Sequence, residues 1–241
     1  MAGFVAGVMV VGAVGLMFTG PSEVRAAASR TASVDSTSRP AQSPADPAGA
    51  RGTPPDPEDQ SREAIAAYRA GDVNAALAQL TALVEAHPND ATALNNLGQA
   101  LVRAGRPGDG IAYFDRAIAQ SPNTWAFHFN RAHAEEELQA WAPAVEEYRR
   151  AASLFPEDYA TQFNLAHALQ AGGDLQGAID AYQKAVTLAP GKPDFLLSLA
   201  AAQEAARQTA DAANTYRKYL QLEPASPDAE KIKDRIARLT S

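Results

Sequence analysis

From about residue 57 onward, apolar residues recur with the spacing of an α-helix. In the segment 159–192, Leu165, Ala166 and Leu169 lie at i, i+1 and i+4, which puts them on one face of a helix. A glycine pair, Gly172 and Gly173, then interrupts the pattern. A second apolar stripe follows and comprises Ala178, Ile179, Tyr182, Ala185 and Val186. The segment therefore predicts two antiparallel helices of about 13 residues joined by a tight turn.

This helical hairpin is repeated along the chain. Five prolines lie 34 residues apart, at Pro88, Pro122, Pro156, Pro190 and Pro224. A proline ends a helix because it lacks an N–H donor and restricts the residue before it. A fixed period of this length indicates stacked two-helix units. The predicted units are 57–90, 91–124, 125–158, 159–192 and 193–226.

Small and bulky residues occupy fixed positions within these units. The eighth position holds only Gly or Ala, at Ala64, Gly98, Ala132, Ala166 and Ala200. The twentieth does the same, at Ala76, Gly110, Ala144, Ala178 and Ala212. The twenty-fourth is bulky, with Leu80, Phe114, Tyr148, Tyr182 and Tyr216. We expect large side chains to pack over small ones, because an added methylene would overpack such contacts.

The turn between the two helices of a unit carries a glycine in three units, Gly71, Gly105 and Gly173, which predicts a left-handed helix end. Gln139 takes this place in the third unit and Arg207 in the fifth. For Gln139 we expect a tighter or differently capped corner.

These columns resemble the tetratricopeptide repeat (TPR) family over about residues 57–226. The resemblance rests on Leu94, Leu97, Gly98 and Leu101, followed by Gly105, Gly110, Phe114, Ala117 and Pro122, and on their equivalents in 159–192. It implies an all-α fold, a right-handed α–α superhelix of five two-helix repeats. It also implies a non-enzymatic scaffold that binds proteins or peptides. Residues 227–241 predict an amphipathic capping helix with Ile232, Ile236 and Leu239 on one side.

The N-terminal region differs in composition from the repeats. Residues 1–20 contain no ionisable side chain and predict a signal peptide or a membrane anchor. Residues 21–56 are rich in Ala, Ser and Pro and predict a disordered linker. We expect the protein to be exported or membrane-anchored, on the extracytoplasmic side. We expect residues 1–20 to contact the membrane if they are not cleaved.

Composition excludes several kinds of function. The net charge of -7 disfavours nucleic acid as a partner, because phosphate binding needs clustered Lys and Arg. The absence of cysteine excludes thiolate chemistry and disulfides. No catalytic motif is found, and we expect no catalytic residue, cofactor or metal. The four histidines are interpreted as surface or groove residues, and Glu135, Glu136 and Glu137 as a solvated helix end.

The sixth position of the units is the strongest candidate for function, with Asn96, Asn130 and Asn164 in three consecutive units. Asn is a poor helix former, so its recurrence needs a reason. One alternative is a hydrogen bond to the adjoining helix. The other is that the amides contact a bound peptide, as in the asparagine ladder of some TPR superhelices.

Residues at helical spacing from these asparagines complete the predicted peptide-binding groove. The groove residues are Asn95, Asn96, Gln99, Arg103, Phe129, Asn130, His133, Phe163, Asn164 and His167. Arg62, Arg69 and Arg103 come early and Glu136, Glu137 and Glu204 late, so we expect the groove to be polarised. A second hypothesis is a membrane-anchored envelope-complex assembly factor that packs through its convex face or its cap. The sequence leaves the oligomeric state open.

Overall fold

The computed structural model describes residues 63–64, 66–67 and 70–241. Glu63, Ala64, Ala66 and Ala67 are helical. The predicted signal or anchor segment 1–20 and the predicted linker 21–56 lie outside the described residues. Within the described part of the chain, no helix is both long and apolar enough to span a bilayer.

From residue 70 onward the chain is helical with short connections. The helices are α1 (Val73–Ala86), α2 (Ala91–Arg103), α3 (Pro107–Gln120), α4 (Trp125–Glu137), α5 (Trp141–Leu154), α6 (Tyr159–Ala171), α7 (Leu175–Leu188), α8 (Pro193–Ala205), α9 (Thr209–Leu222) and α10 (Ala229–Thr240).

Two kinds of helix alternate along this series. The first helices α2, α4, α6 and α8 have 13 residues each, and the second helices α1, α3, α5, α7 and α9 have 14. Each helix packs against its neighbours in the chain, and α2 also contacts α4. The described chain is therefore an all-α stack of helical hairpins, an α–α superhelix.

The five prolines lie in the turns between hairpins. Each second helix ends two residues before its proline, as α3 does at Gln120 before Pro122. The carbonyl of the residue before each proline accepts a hydrogen bond from the N–H three residues on, for example Ser121 O from Thr124 N at 3.2 Å. Proline is favoured at the second position of such a turn because its φ is already fixed. The prolines thus set the step from one hairpin to the next.

The turns within hairpins share one backbone conformation whatever residue they carry. Gly71, Gly105 and Gly173 have φ of 85°, 75° and 90°, which confirms the predicted left-handed ends. Gln139 and Arg207 adopt the same region, with φ of 57° and 61°. The prediction of a different corner at Gln139 was therefore wrong. The packing of the flanking helices imposes the left-handed residue even where a side chain disfavours it.

The predicted packing of bulky over small residues is confirmed at the second repeat. A Cβ built on Gly98 would lie 2.6 Å from Cε1 of Phe114, which is fully buried. A Cβ on Gly110 would lie 2.8 Å from the carbonyl oxygen of Gly98. The second contact is a close approach of two backbones, so the two helices of this hairpin lie at the distance that glycine allows.

The last helix closes one end of the stack. Ile232 of α10 is buried in a cluster with Leu196, Tyr216 and Tyr219, and Ile236 and Leu239 pack against the same cluster. The opposite side of α10 carries Lys and Arg residues that are exposed. The helix therefore covers the apolar face of α9 and presents a solvated one, as a terminal cap of a solenoid does.

Candidate functional site

Consecutive first helices touch one another and form one continuous surface. The side chain of Asn130 on α4 reaches Asn95 on α2, and His167 on α6 reaches Glu136 on α4. Phe163 of α6 stacks on Phe195 of α8, with ring centroids 4.7 Å apart. We call this surface the inner strip. It comprises Asn95, Asn96, Gln99, Phe129, Asn130, His133, Glu136, Glu137, Phe163, Asn164 and His167.

The amides at the α2 end of the strip are enclosed. Asn95, Asn96 and Gln99 are only 4–6% exposed. Asn130 Nδ2 donates a hydrogen bond to Asn95 Oδ1 at 2.8 Å, which joins two first helices. At this step, therefore, the structure shows the alternative in which an asparagine bonds to the adjoining helix.

Gln99 has a buried acceptor with no hydrogen-bond partner. No described residue donates to its Oε1. An unpaired buried polar atom costs free energy, and in native proteins most such atoms are paired with protein or ligand. Gln99 is thus the one predicted groove residue whose buried oxygen the described chain leaves unsatisfied.

The amide and imidazole groups further along the strip are more open. Asn130, His133, Asn164 and His167 are all half-buried. Arg103, in the last turn of α2, is exposed. The predicted polar site residues therefore differ in accessibility: the three amides of α2 are buried, whereas Arg103 and the amide and imidazole groups of α4 and α6 are at least partly exposed.

The predicted groove phenylalanines belong partly to the core. The ring of Phe129 packs edge-on against that of Tyr148, with the ring centroids 5.5 Å apart. The ring of Phe163 packs in the same way against that of Tyr182, at a centroid distance of 5.4 Å. Phe129 is buried, whereas Phe163 keeps part of its ring exposed. Phe163 is therefore the aromatic side chain of the predicted set that offers apolar surface to a ligand.

Glu136 is the centre of a polar cluster on the strip. It accepts hydrogen bonds from His167 Nδ1 at 2.5 Å and from the Tyr148 hydroxyl at 2.7 Å. Burial raises the pKa of the Glu136 carboxyl, but these two bonds lower it more, so the pKa lies below the ordinary 4.5. The bond to Glu136 raises the pKa of His167 above 6.5, although burial opposes this. Burial also raises the pKa of Tyr148 well above 10.0, so its hydroxyl stays a donor.

The prediction of a solvated acidic helix end was wrong for two of its three residues. The side chains of Glu135 and Glu136 are only 12% and 17% exposed, whereas that of Glu137 is 57% exposed. Glu135 lies 3.7 Å from the guanidinium of Arg131. Sequence spacing on α4 did not show that the next hairpin would cover one side of the run.

The fifth repeat contains a similar cluster that sequence analysis missed. Glu204 of α8 accepts a hydrogen bond from the Tyr216 hydroxyl at 3.3 Å and from Arg235 Nε at 2.7 Å. In both clusters the Tyr follows the Glu by 12 residues and the cationic or imidazole partner follows it by 31. The third and fifth units both have Glu at the twelfth position and Tyr at the twenty-fourth. Alignment of the units could therefore have revealed the two Tyr–Glu pairs.

His128 corrects the expectation that the histidines lie on the surface or in the groove. It is buried, with Nδ1 2.7 Å from Glu147 Oε2 and Nε2 2.9 Å from the carbonyl oxygen of Pro122. Arg131 bonds to the other carboxylate oxygen of Glu147 at 3.1 Å and to Asp115 at 2.6 Å. These contacts tie α4 to α3 and α5, so His128 and Arg131 have a structural role. Among the described residues no group of His, Asp and Glu has an arrangement suited to a metal ion.

The hairpins match a known family of repeats. The family model of the tetratricopeptide repeat matches residues 61–124, 96–159, 129–193 and 163–230, which together cover more than half of the chain. The chain belongs to the tetratricopeptide repeat family. No curated protein matches its sequence.

Solved structures of MamA have the same TPR fold. MamA from Desulfovibrio magneticus RS-1, from its residue 41 to the end, gives a TM-score of 0.65 at 21% identity, over 71% of this chain and 97% of that one. A MamA RS-1 ArsTM double mutant gives 0.66 at 21% identity, with the same coverage. A further MamA crystal structure gives 0.65 at 20% identity, over 70% and 92% of the two chains. At such identities the likeness concerns the fold alone.

Proposed function

We propose that this chain is a non-enzymatic scaffold whose inner strip binds an extended segment of a partner protein. Stacked helical repeats create long surfaces that suit protein ligands. The observation that carries the proposal is the series of half-buried residues on α4 and α6, in which Asn164, His133 and His167 occur together with Phe163. Apolar surface beside amide and imidazole groups can take up side chains and backbone groups of one peptide.

The spacing of the helices indicates the length of such a segment. Packed helices lie about 10 Å apart, so the path from α4 to α8 is about 20 Å. An extended chain rises about 3.3 Å per residue, which makes about six residues sufficient to cross the three helices. A peptide N–H would also satisfy the free Oε1 of Gln99 if the segment continued to α2.

Site-specific photocrosslinking tests the proposal. A benzoylphenylalanine introduced at Asn164 on the strip should form an adduct with a partner protein from the native host. The same residue at Lys184, exposed on the second helix α7 of the same repeat, is the matched control. Adducts from position 184 and none from position 164, with both variants folded, would contradict binding at the strip.

A second candidate function is assembly into a larger complex through another surface. Phe155, Leu188 and Leu222 lie at the carboxyl ends of α5, α7 and α9 and are 39–45% exposed. These exposed apolar side chains recur at the carboxyl ends of consecutive second helices, which are not part of the inner strip. Replacement of all three by Ser should abolish association with the complex, whereas the Asn164→Ala variant should not. The reverse outcome favours the inner strip.

We also propose that residues 1–20 target the protein to a membrane or across it. The support is the apolar composition of the segment, which lacks any ionisable side chain. A fusion of alkaline phosphatase after Ser38 should be active, because the enzyme works only outside the cytoplasm. N-terminal sequencing of the mature protein distinguishes a cleaved signal from a retained anchor. An inactive fusion contradicts export.

A further inference from the structure

Three of the four fully described first helices lack, at their carboxyl ends, the cations that helix ends usually attract. A helix C-terminus carries a partial negative charge, which Lys or Arg in the last turn normally offsets. α2 has Arg103 there, but α4, α6 and α8 have no basic residue in their last turns. α4 instead ends in three consecutive glutamates. This edge of the strip is therefore electronegative through both side chains and backbone.

The described first helices offer Arg103 of α2 and the imidazoles of His133 and His167 to balance this edge, and His167 already bonds to Glu136. Within α4, α6 and α8, all fully described, Arg131 is the single Lys or Arg residue, against four carboxylates at the carboxyl ends of α4 and α8. Arg235 of α10 pairs with one of these four, Glu204. Arg131 forms ion pairs with Asp115 on α3 and Glu147 on α5, so these two carboxylates already balance its charge. Glu137, with 57% of its side chain exposed, has only His133 as an ion-pair neighbour in the described chain, at 4.0 Å.

The last repeat shows how a cation fits at such a carboxylate. Arg235 of α10 reaches Glu204 with Nε 2.7 Å from Oε2, while the Tyr216 hydroxyl bonds to the same oxygen. The guanidinium also lies over the Tyr216 ring, 5.8 Å from its centroid. At the corresponding place in the third repeat, Glu136 has Tyr148 but meets the imidazole of His167 instead of an arginine. The cap helix thus supplies an arginine at the place where the third repeat has the imidazole of His167.

We propose that the segment bound by the inner strip carries a Lys or Arg side chain next to an apolar residue. The cation lies at Glu136 and Glu137, and the apolar neighbour packs on Phe163. This inference rests on the proposed function, because it specifies the ligand of the same surface. The free acceptor of Gln99 agrees with it, since an N–H donor and not a carboxylate satisfies a carbonyl oxygen.

Selection from a display library of random dodecapeptides tests the inference. The immobilised full chain should recover peptides in which Lys or Arg is enriched over the input library. Their affinity should fall about tenfold in the Glu136→Gln/Glu137→Gln variant, as expected on loss of a charge-assisted hydrogen bond. The Glu146→Gln/Glu157→Gln variant makes the same charge change at two exposed positions outside the strip, and it should bind as the wild type does.

Each outcome decides between the two proposals. Recovered peptides that lack Lys and Arg, or that bind the strip variant and the wild type equally, overturn the charge inference and leave strip binding standing. Recovery of no peptide overturns both. The single Glu137→Gln variant controls for misfolding of the double variant. The exposed side chain of Glu137 makes no hydrogen bond among the described residues, so its loss should leave the fold intact. This variant should still weaken binding of basic peptides measurably, with unchanged helix content.

Discussion

The imidazole of His167 bonds to the carboxylate of Glu136, and this contact joins two consecutive first helices on the inner strip. Glu136 is held from its own repeat by Tyr148, so one carboxylate links α4, α5 and α6. The ring of His167 also packs edge-on against Trp141, with the ring centroids 6.3 Å apart. A group that titrates near neutral pH therefore contributes to the register of two repeats.

The His167–Glu136 pair predicts a pH-dependent contribution to stability. The raised pKa of His167 stabilises the folded state fully below pH 6.5, and this contribution is lost as the pH rises through the folded value. The lowered pKa of Glu136 stabilises it above pH 4.5, and this is lost as the pH falls. The pair is therefore fully effective between about 4.5 and 6.5. We expect His167→Gln to lower the Tm by about 2 °C at pH 5.5, and by less at pH 9.

The matched control is His133→Gln, on the same strip. His133 is 41% exposed and lies 4.0 Å from Glu137, so its ion pair is weak. Thermal unfolding followed by circular dichroism should show little pH dependence in its effect. An equal loss of Tm for His167→Gln at pH 5.5 and pH 9 would contradict the account of the pair.

Gly98 should not accept a methyl group without loss of stability. A Cβ there would overlap the buried ring of Phe114, so Gly98→Ala should lower the free energy of unfolding by about 1–3 kcal/mol. Gly108 should behave in the opposite way. It lies in helix α3, and a Cβ built on it would have no atom within 4 Å. Gly108→Ala should raise the free energy of unfolding by about 0.5–1 kcal/mol. Urea titration of the two variants measures both, and the same sign for both changes would contradict the packing.

The corner at Gln139 predicts a stabilising substitution. Its φ of 57° is strained for any residue with a Cβ, so Gln139→Gly should raise the free energy of unfolding by up to about 1 kcal/mol. The reverse change tests the same cause. Gly105 has φ of 75° and nothing within 4 Å of the position that a Cβ would take, so Gly105→Ala should destabilise through backbone strain alone. Destabilisation by Gln139→Gly in urea titration would show that its side chain contributes contacts that outweigh the strain.

The fold was largely predictable because it depends on local spacing. The period of the prolines, the small columns and the turn glycines specify helix ends and close contacts within about 34 residues, and the structure agrees at Gly98, Phe114 and Gly173. Gln139 shows the limit of this approach, since the packing of flanking helices overrides the preference of one residue.

The site was less predictable because its contacts are between repeats. Glu136 pairs with a residue 31 positions later and Asn130 with one 35 positions earlier, and neither is adjacent on a single helix. A helical wheel of α4 alone shows Asn130 and Glu136 as polar residues and does not identify their partners on α2 and α6. The same limit explains why His128 was expected to lie on the surface or in the groove, although α5 supplies the half-buried carboxylate of Glu147 that it contacts.

The absence of cysteine from the sequence allows a direct test of binding at the inner strip. Single Asn164→Cys and Lys184→Cys variants of the full chain each carry one thiol, the first on the strip and the second at an exposed position of the second helix α7. The measurement is the rate of thiol labelling with and without a saturating peptide recovered by the display selection. We expect the peptide to slow labelling at position 164 and to leave it unchanged at position 184. Protection at position 184 with none at position 164 would contradict binding at the strip.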